Sequence, residues 1–151
     1  MIQTKKILKL FLTVAFLMLS LPQQSLAQPK AIILLRHAEE PPEDVPYLSE
    51  TGQKRAMALP SLFKTNPYLK NLETPVALFA AGAKKADSSI RSIQTLKYLS
   101  EEFQIPVNHS FIRDDYEKMT EEINKNPDYN QKVIVICWQH KLLSKIAKNL
   151  G

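Results

Sequence analysis

The chain has 151 residues, a formal net charge of +5 and one cysteine, Cys137, which excludes an intramolecular disulfide, so the core must be held by packing. Three lysines of the N-terminal segment account for the difference between this +5 and a net charge of +2 for the rest. The remaining basic residues are interspersed with acidic ones, which argues against nucleic-acid binding, because that requires basic residues clustered on one face.

Residues 1–27 have the pattern of a secretory signal peptide. Lysines precede and interrupt an apolar stretch at 7–21, and a small-residue, cleavage-like site follows at 25–27. The apolar stretch is shorter than the roughly 20 residues of a membrane-spanning helix, which argues against an uncleaved anchor. We therefore predict an exported protein, periplasmic or secreted, with one mature domain at 28–151 and no stable membrane insertion after cleavage.

Three short apolar runs, at 31–35, 76–81 and 133–138, lack alternating polar residues. Uninterrupted apolar runs are typical of strands covered on both faces, so we interpret them as central parallel strands. A fourth short strand is predicted at 105–109, where Pro106 favours an edge position. Strands that alternate with helices predict an α/β fold, a three-layer α/β/α sandwich with a mostly parallel central sheet.

Four helices are predicted between and after these strands. The first follows the capping candidate Ser49 and is expected to kink at Pro60, and the second follows Asp87. The third stops before Pro127, and the fourth ends the chain. Their apolar positions, in chain order, are Ala56, Leu59 and Phe63; Ile90, Ile93, Leu96, Leu99 and Phe103; Tyr116, Met119 and Ile123; and Leu142, Leu143, Ile146, Ala147 and Leu150.

Two histidines follow two predicted strands. Arg36 and His37 come after the first strand, and His140 comes after the last. Because ligands of open α/β sheets bind beyond the carboxyl ends of the strands, these residues are expected to meet around one small group. Arg91 falls near the start of the second helix, whose N-terminus favours an anion, and guanidinium groups are well suited to phosphate. The hydroxyls of Ser88 and Ser89 would add donors.

This set of residues predicts metal-independent phosphoryl transfer. A neutral imidazole at His37 can attack phosphorus while His140 stabilises the developing charge, and water then hydrolyses the phosphohistidine. The histidines lack the close spacing of zinc ligands, so we expect no metal and no cofactor. The absence of a Gly-x-Ser-x-Gly segment argues against a serine hydrolase. Cys137, inside an apolar run, is expected to be a buried structural thiol.

Four segments, in this order, resemble the histidine phosphatase (phosphoglycerate mutase-like) superfamily. Residues 34–39 resemble its strand-end Arg-His signature and residues 48–56 its Leu-(Ser/Thr)-x-x-Gly segment. Residues 88–95 resemble its Ser-x-x-Arg-x-x-Gln-Thr segment, and residues 134–140 its strand with the second histidine. The resemblance spans nearly all of the mature chain. It implies a phosphorylated His37 and a phosphate pocket formed by Arg36, Arg91 and His140.

The resemblance leaves the general acid open. Relatives place it directly after the second histidine or about two dozen residues beyond the second arginine. Position 141 is a lysine, which excludes the first option. Glu117 lies at the second distance and is the predicted acid, with Asp114 and Asp115 as alternatives. Glu39, beside the signature, is expected to orient neighbouring groups.

The sequence therefore predicts an exported phosphomonoesterase that hydrolyses a small phosphorylated substrate through a phosphohistidine on His37. The alternative is a catalytically weak or inactive phosphate-ligand binding protein of the same fold, which would keep the arginines and lack a competent acid. Relatives usually continue beyond the helix that follows the second histidine, whereas this sequence stops at Gly151. One edge of the sheet is therefore expected to be less covered than in those relatives.

Overall fold

The computed structural model describes residues 27–151, so the predicted signal peptide, apart from Ala27, lies outside the described residues. The strands are β1 (Ala31–Arg36), β2 (Ala77–Ala80), β3 (Val107–Asn108) and β4 (Val133–Trp138). The α-helices are α1 (Glu50–Thr65), α2 (Arg91–Phe103), α3 (Tyr116–Lys125) and α4 (His140–Leu150). Short 3-10 helices at Arg113–Asp115 and Pro127–Tyr129 flank α3.

The four strands form one parallel sheet in the order β1-β4-β2-β3. This arrangement confirms the predicted α/β fold. All six residues of β4 are buried, as expected for an apolar strand inside a parallel sheet. β3, which follows Pro106, lies at an edge, because a proline cannot donate to a neighbouring strand.

Helices cover both faces of the sheet. Ile134 and Ile136 of β4 pack on the face of α3 and α4, where Ile123 and Ile146 are fully buried. The alternate residue Val135 packs on the face of α1 and α2. Full burial of such a side chain contributes about 1.5–3 kcal/mol, so the two apolar layers on either side of β4 hold the sandwich together.

The start of α1 is capped as the sequence predicts. The backbone N–H of Gly52 donates to Oγ of Ser49 over 3.1 Å. A side chain at Gly52 would overlap the backbone oxygen of Glu39, so glycine allows the loop after β1 to pack against this helix. The helix continues through Pro60 to Thr65.

The start of α2 differs from the prediction. The helix begins at Arg91, and Asp87 lies in the turn before it instead of capping it. That turn is closed by Ser88, whose backbone N–H donates to the carbonyl of Lys85 over 3.0 Å and whose Oγ accepts from the N–H of Lys85 over 2.9 Å. These local bonds keep the chain out of the helix until Ile90. Among the described helices, none has the length and apolar character needed to cross a membrane.

Candidate active site

At the carboxyl end of β4, the loops that leave neighbouring strands run to opposite faces of the sheet. The helices that follow β1 and β2 pack on one face of the sheet, whereas α4, which follows β4, packs on the other. Neighbouring strands whose loops leave toward opposite faces create a crevice, the usual ligand site of an open parallel sheet. His37, Gly82 and Gln139 lie at this edge, after β1, β2 and β4 respectively.

A cavity of about 290 Å³ occupies this crevice. Its volume is at the lower end of the roughly 300–1,000 Å³ of small-molecule sites, so it suits a small ligand. Residues from three loops and two helix starts line it: His37, Ala81, Gly82, Lys84, Ser88, Ser89, Ser92, Ile112, Arg113, Asp114 and Gln139.

His37 is held in a defined orientation. Its side chain is buried, and its backbone N–H donates to the carbonyl of Trp138 over 3.3 Å. Ring atom Nδ1 lies 2.8 Å from the carbonyl oxygen of Ala38. Because a carbonyl only accepts, Nδ1 must carry the proton, and in the neutral ring the lone pair is on Nε2. The neutral form of His37 therefore has the tautomer that a nucleophilic Nε2 requires.

An extension of the sheet brings a second group of residues to the cavity. Beyond β2, Gly82 bridges to Ile112 in parallel, and its N–H donates to the carbonyl of Phe111 over 2.8 Å. A Cβ at Gly82 would overlap the carbonyl oxygen of His109, so only glycine allows this close approach. The indole N–H of Trp138 donates to the carbonyl of Arg113 over 3.0 Å. These contacts fix the backbone of Arg113 at the cavity wall.

Arg113 and Asp114 form an ion pair at that wall. Nε of Arg113 lies 2.8 Å from Oδ1 of Asp114, and Nη2 lies 3.1 Å from Oδ2. The hydrogen bond from Arg113, with smaller effects of the charges of Arg113 and Lys84, lowers the pKa of Asp114 below its ordinary value. The same hydrogen bond raises the pKa of Arg113. With Lys84 also in the lining, the group carries net positive charge.

Two helix N-termini border the cavity. Ser92 in the first turn of α2 and Gln139 directly before α4 both line it. In the described part of the chain, neither Ile90 nor Gln139 caps its helix with a side-chain hydrogen bond. The N–H of Arg91 donates to Oγ of Ser89 over 3.4 Å. The other N–H groups of the two first turns and the positive ends of the two helix dipoles favour an anion. Hydroxyls of Ser88 and Ser89, predicted as donors, lie in the same lining.

The predicted phosphate ligands lie around the cavity, but their side chains are not among the residues that line it within 27–151. Arg36 is exposed and lines a separate groove between β1 and α1, together with Arg55. His140 is exposed at the first residue of α4. The backbone of each is at the crevice, because Arg36 precedes the lining residue His37 and His140 follows the lining residue Gln139.

Arg91 holds the proline-rich loop 40–47. Its Nη1 lies 2.6 Å from Oε2 of Glu40, its Nε donates to the carbonyl of Tyr47 over 3.2 Å, and Nη2 donates to the carbonyl of Val45. The N–H of Ile90 donates to the carbonyl of Pro46 over 2.8 Å. The side chain of Arg91 is only 12% exposed, so three acceptors from one loop surround its guanidinium group.

The three candidate acids occupy different places. Glu117 is exposed on α3, accepts from the hydroxyl of Tyr116 over 3.0 Å, and borders a separate depression near Asn149. Asp115 pairs with Lys118, with 2.7 Å between Oδ1 and Nζ. Only Asp114, of these three, lines the cavity that contains His37.

Sequence reasoning missed Lys84 and Arg113. The sequence could have indicated Lys84 as a site residue, because it follows a strand whose carboxyl end lies at the same edge of the sheet as His37. The sequence could not have indicated Arg113, because its position depends on the pairing of Gly82 with Ile112, which no local pattern reveals. Cys137 is fully buried, and burial raises the pKa of its thiol to about 12.

No protein-family model matches this chain, and no curated protein matches it either.

Proposed function

We propose that this protein is an exported phosphomonoesterase of the histidine phosphatase type, with His37 as the nucleophile. The observation that carries the proposal is the orientation of His37: Nδ1 donates to Ala38, so the neutral ring presents its lone pair on Nε2, in a cavity with net positive charge. The signal-like pattern of residues 1–27 supports export.

The proposed reaction has two steps. Nε2 of His37 attacks phosphorus, forming a P–N bond as the P–O bond to the leaving group breaks, and the leaving oxygen takes a proton from an acid. Water then attacks the same phosphorus, the P–N bond breaks, and inorganic phosphate and neutral His37 are regenerated. Both steps exchange one ligand of phosphorus for another, so positioning and charge neutralisation suffice.

Several groups support binding of the phosphoryl oxygens. The N-termini of α2 and α4 and the serine hydroxyls border the cavity and are groups that donate to phosphate oxygens. Arg36, Arg91 and His140 remain phosphate ligands in the proposal, because each is the sequence neighbour of a lining residue: Arg36 of His37, Arg91 of Ser92 and His140 of Gln139. For Arg91 this role requires that phosphate oxygens replace acceptors of the loop 40–47.

Asp114 is the better-placed acid. It lines the cavity with His37, whereas Glu117 borders a different depression. Because Arg113 lowers the pKa of Asp114, the protonated carboxyl that an acid needs becomes populated as the pH falls. We therefore propose that protonation of the leaving group by Asp114 becomes more effective as the pH falls, which matters most for alkyl phosphates.

The same observation favours the second candidate function, a protein that binds a phosphorylated ligand without turnover. If Asp114 stays ionised throughout the working pH range, nothing in the lining replaces it as a carboxylic acid within residues 27–151. The binding groups would remain intact, because they do not depend on proton transfer.

Trapping of the phosphoenzyme separates the two functions. The full chain is mixed with a ³²P-labelled aryl phosphate, quenched in alkali and tested for acid-labile label. We expect label in the wild type and in His109→Ala, whose exposed histidine lies outside the cavity lining, and none in His37→Ala. Activity must also survive EDTA. Tight phosphate binding without label would support the binding protein, and loss of activity in EDTA would overturn the proposed mechanism.

A further inference from the structure

The bond at which the signal peptide is expected to be cleaved joins Ala27 to Gln28, and the structure describes both residues. Ala27 is only 6% exposed, and its N–H donates to the carbonyl of Asn124, near the end of α3, over 2.8 Å. A protease needs accessible backbone that is free of such bonds. Cleavage after Ala27 therefore precedes folding, and the chain that then folds begins at Gln28.

The fold holds the main chain of Gln28 beside the segment that leads into β4. Its N–H donates to Oδ1 of Asn130 over 3.2 Å. Its carbonyl accepts from both the backbone N–H of Gln131, over 2.8 Å, and Nε2 of Gln131, over 3.3 Å. The next residue, Pro29, restricts Gln28 to extended backbone. Three hydrogen bonds through main-chain atoms thus anchor the residue that becomes the N-terminus.

The side chain of Gln28, by contrast, is free to react. The residue is exposed, and its side-chain amide makes no hydrogen bond among residues 27–151. Cleavage gives Gln28 an α-amine, and the pKa of about 7.7–8.0 of such a group leaves a neutral fraction near pH 7. A neutral α-amine can reach the side-chain carbonyl carbon of its own glutamine and close an unstrained lactam ring.

We propose that Gln28 of the exported protein is converted to pyroglutamate. The α-nitrogen attacks Cδ, an N–Cδ bond forms, and the bond from Cδ to the side-chain nitrogen breaks, so that ammonia leaves with a proton from the amine. The reaction needs no oxidant, reductant or other reactant. The inference rests on the export and cleavage in the proposed function, and it is independent of the phosphatase chemistry.

The lactam keeps the contacts that anchor the terminus. Its nitrogen retains one hydrogen for Oδ1 of Asn130, and its main-chain carbonyl still accepts from Gln131. Ring closure also removes a positive charge beside two lysines, Lys30 and Lys132, whose backbones are joined by a hydrogen bond of 2.8 Å. The modification therefore fits the folded chain and closes its N-terminus to enzymes that require a free α-amine.

The modified residue lies far from the candidate active site. Gln28 precedes β1, and His37 follows it. The six residues of β1, at about 3.3 Å each, put roughly 20 Å between the two ends of the strand. Ring closure is therefore expected to leave formation of the phosphohistidine unchanged.

Mass spectrometry of the exported protein tests the inference. The full chain is expressed with residues 1–27 in a host that exports it, and the intact protein is weighed. The peptide 28–39, released from the denatured protein by a Glu-specific protease, is then sequenced. We expect the mass of residues 28–151 less one ammonia, and an N-terminus that amine-reactive reagents do not label. A free amine on Gln28, or a chain that begins at any other residue, overturns the inference.

Gln28→Asn is the matched control. Its shorter side chain could close only a strained, smaller ring, so this variant should keep its full mass and a reactive N-terminal amine. If Gln28→Asn also lacks one ammonia, the loss occurs elsewhere and the assignment to Gln28 is wrong. Both proteins should be labelled equally by the ³²P-labelled aryl phosphate. Failure of the phosphatase proposal would be seen as absence of that label in both, whatever their masses.

Discussion

Oγ1 of Thr95 accepts a hydrogen bond from the backbone N–H of Ala38 over 2.9 Å. The same hydroxyl donates to the carbonyl of Arg91 over 2.7 Å, so it joins the loop after β1 to the first turn of α2. Ala38 in turn accepts the Nδ1–H of His37 through its carbonyl. Thr95 is buried, and it orients His37 through the backbone of Ala38.

Replacing Thr95 with valine should lower both stability and activity. The variant leaves the buried N–H of Ala38 without an acceptor, which costs about 1–3 kcal/mol in urea unfolding. Thr65→Val is the matched control, because Thr65 makes the same kind of helical bond, to the carbonyl of Ser61 over 2.9 Å, on the exposed surface of α1. We expect Thr95→Ser to restore phosphohistidine formation. If Thr95→Val is as stable and active as Thr65→Val, the hydrogen bond between Thr95 and Ala38 does not position His37.

Arg91→Ala should weaken phosphate binding by about tenfold, because a charged hydrogen bond is lost. It should also free the loop 40–47, which limited proteolysis will detect as faster cleavage. Glu40→Gln removes the charge of one acceptor and keeps the guanidinium group, so it should loosen the loop while phosphate affinity stays near the wild-type value. If Arg91→Ala binds inorganic phosphate as the wild type does, Arg91 serves the loop alone.

The two candidate acids differ in their expected effect on leaving groups. Asp114→Asn should slow alkyl phosphates by about a hundredfold or more, since general acid catalysis contributes about 10²–10⁴, and should slow aryl phosphates far less. Glu117→Gln should leave both rates near the wild type, because Glu117 lies outside the cavity lining. In the wild type the ratio of alkyl to aryl turnover should rise as the pH falls toward the lowered pKa of Asp114, because both substrates need the same unprotonated His37 and only the alkyl substrates need the acid. A rate profile that Asp114→Asn does not change would return the role to Glu117.

Cys137 should make the protein less stable as the pH rises above 9. Burial raises the pKa of its thiol from an ordinary value near 9.0 to about 12 in the native state. Between these values the unfolded chain loses the proton and the native chain keeps it, so the free energy of unfolding falls by up to about 1.4 kcal/mol per pH unit. Cys137→Ala lacks this titration. The stability difference between the wild type and Cys137→Ala should therefore shrink from pH 9 upward, as denaturant unfolding at several pH values will show, and a difference independent of pH would refute the assignment.

Local patterns predicted most of the fold. The run at 133–138 indicated a central strand because both of its faces are apolar, and Ser49 was identified as a cap from its place before a helical pattern. The start of α2 was misplaced because the turn closed by Ser88 competes with the helix. Such competition depends on side-chain bonds that periodicity does not register.

The sequence predicted less of the site than of the fold. Position after a strand was enough to predict that His37 would lie at the crevice, because parallel strands all end at one edge. The direction of a long side chain does not follow from that position, so the contacts of Arg91 with the loop 40–47 were not foreseen. Arg113 was missed because a bridge between distant segments brings it to the wall.

Trp138 sets the spacing between the two walls of the cavity. Its carbonyl accepts the N–H of His37 over 3.3 Å, and its indole donates to the carbonyl of Arg113 over 3.0 Å. One fully buried residue therefore fixes the distance between the backbones of His37 and Arg113. A substitution of Trp138 should therefore change the distance between the two walls, whereas a side-chain substitution at His37 or Arg113 keeps both backbone contacts with Trp138.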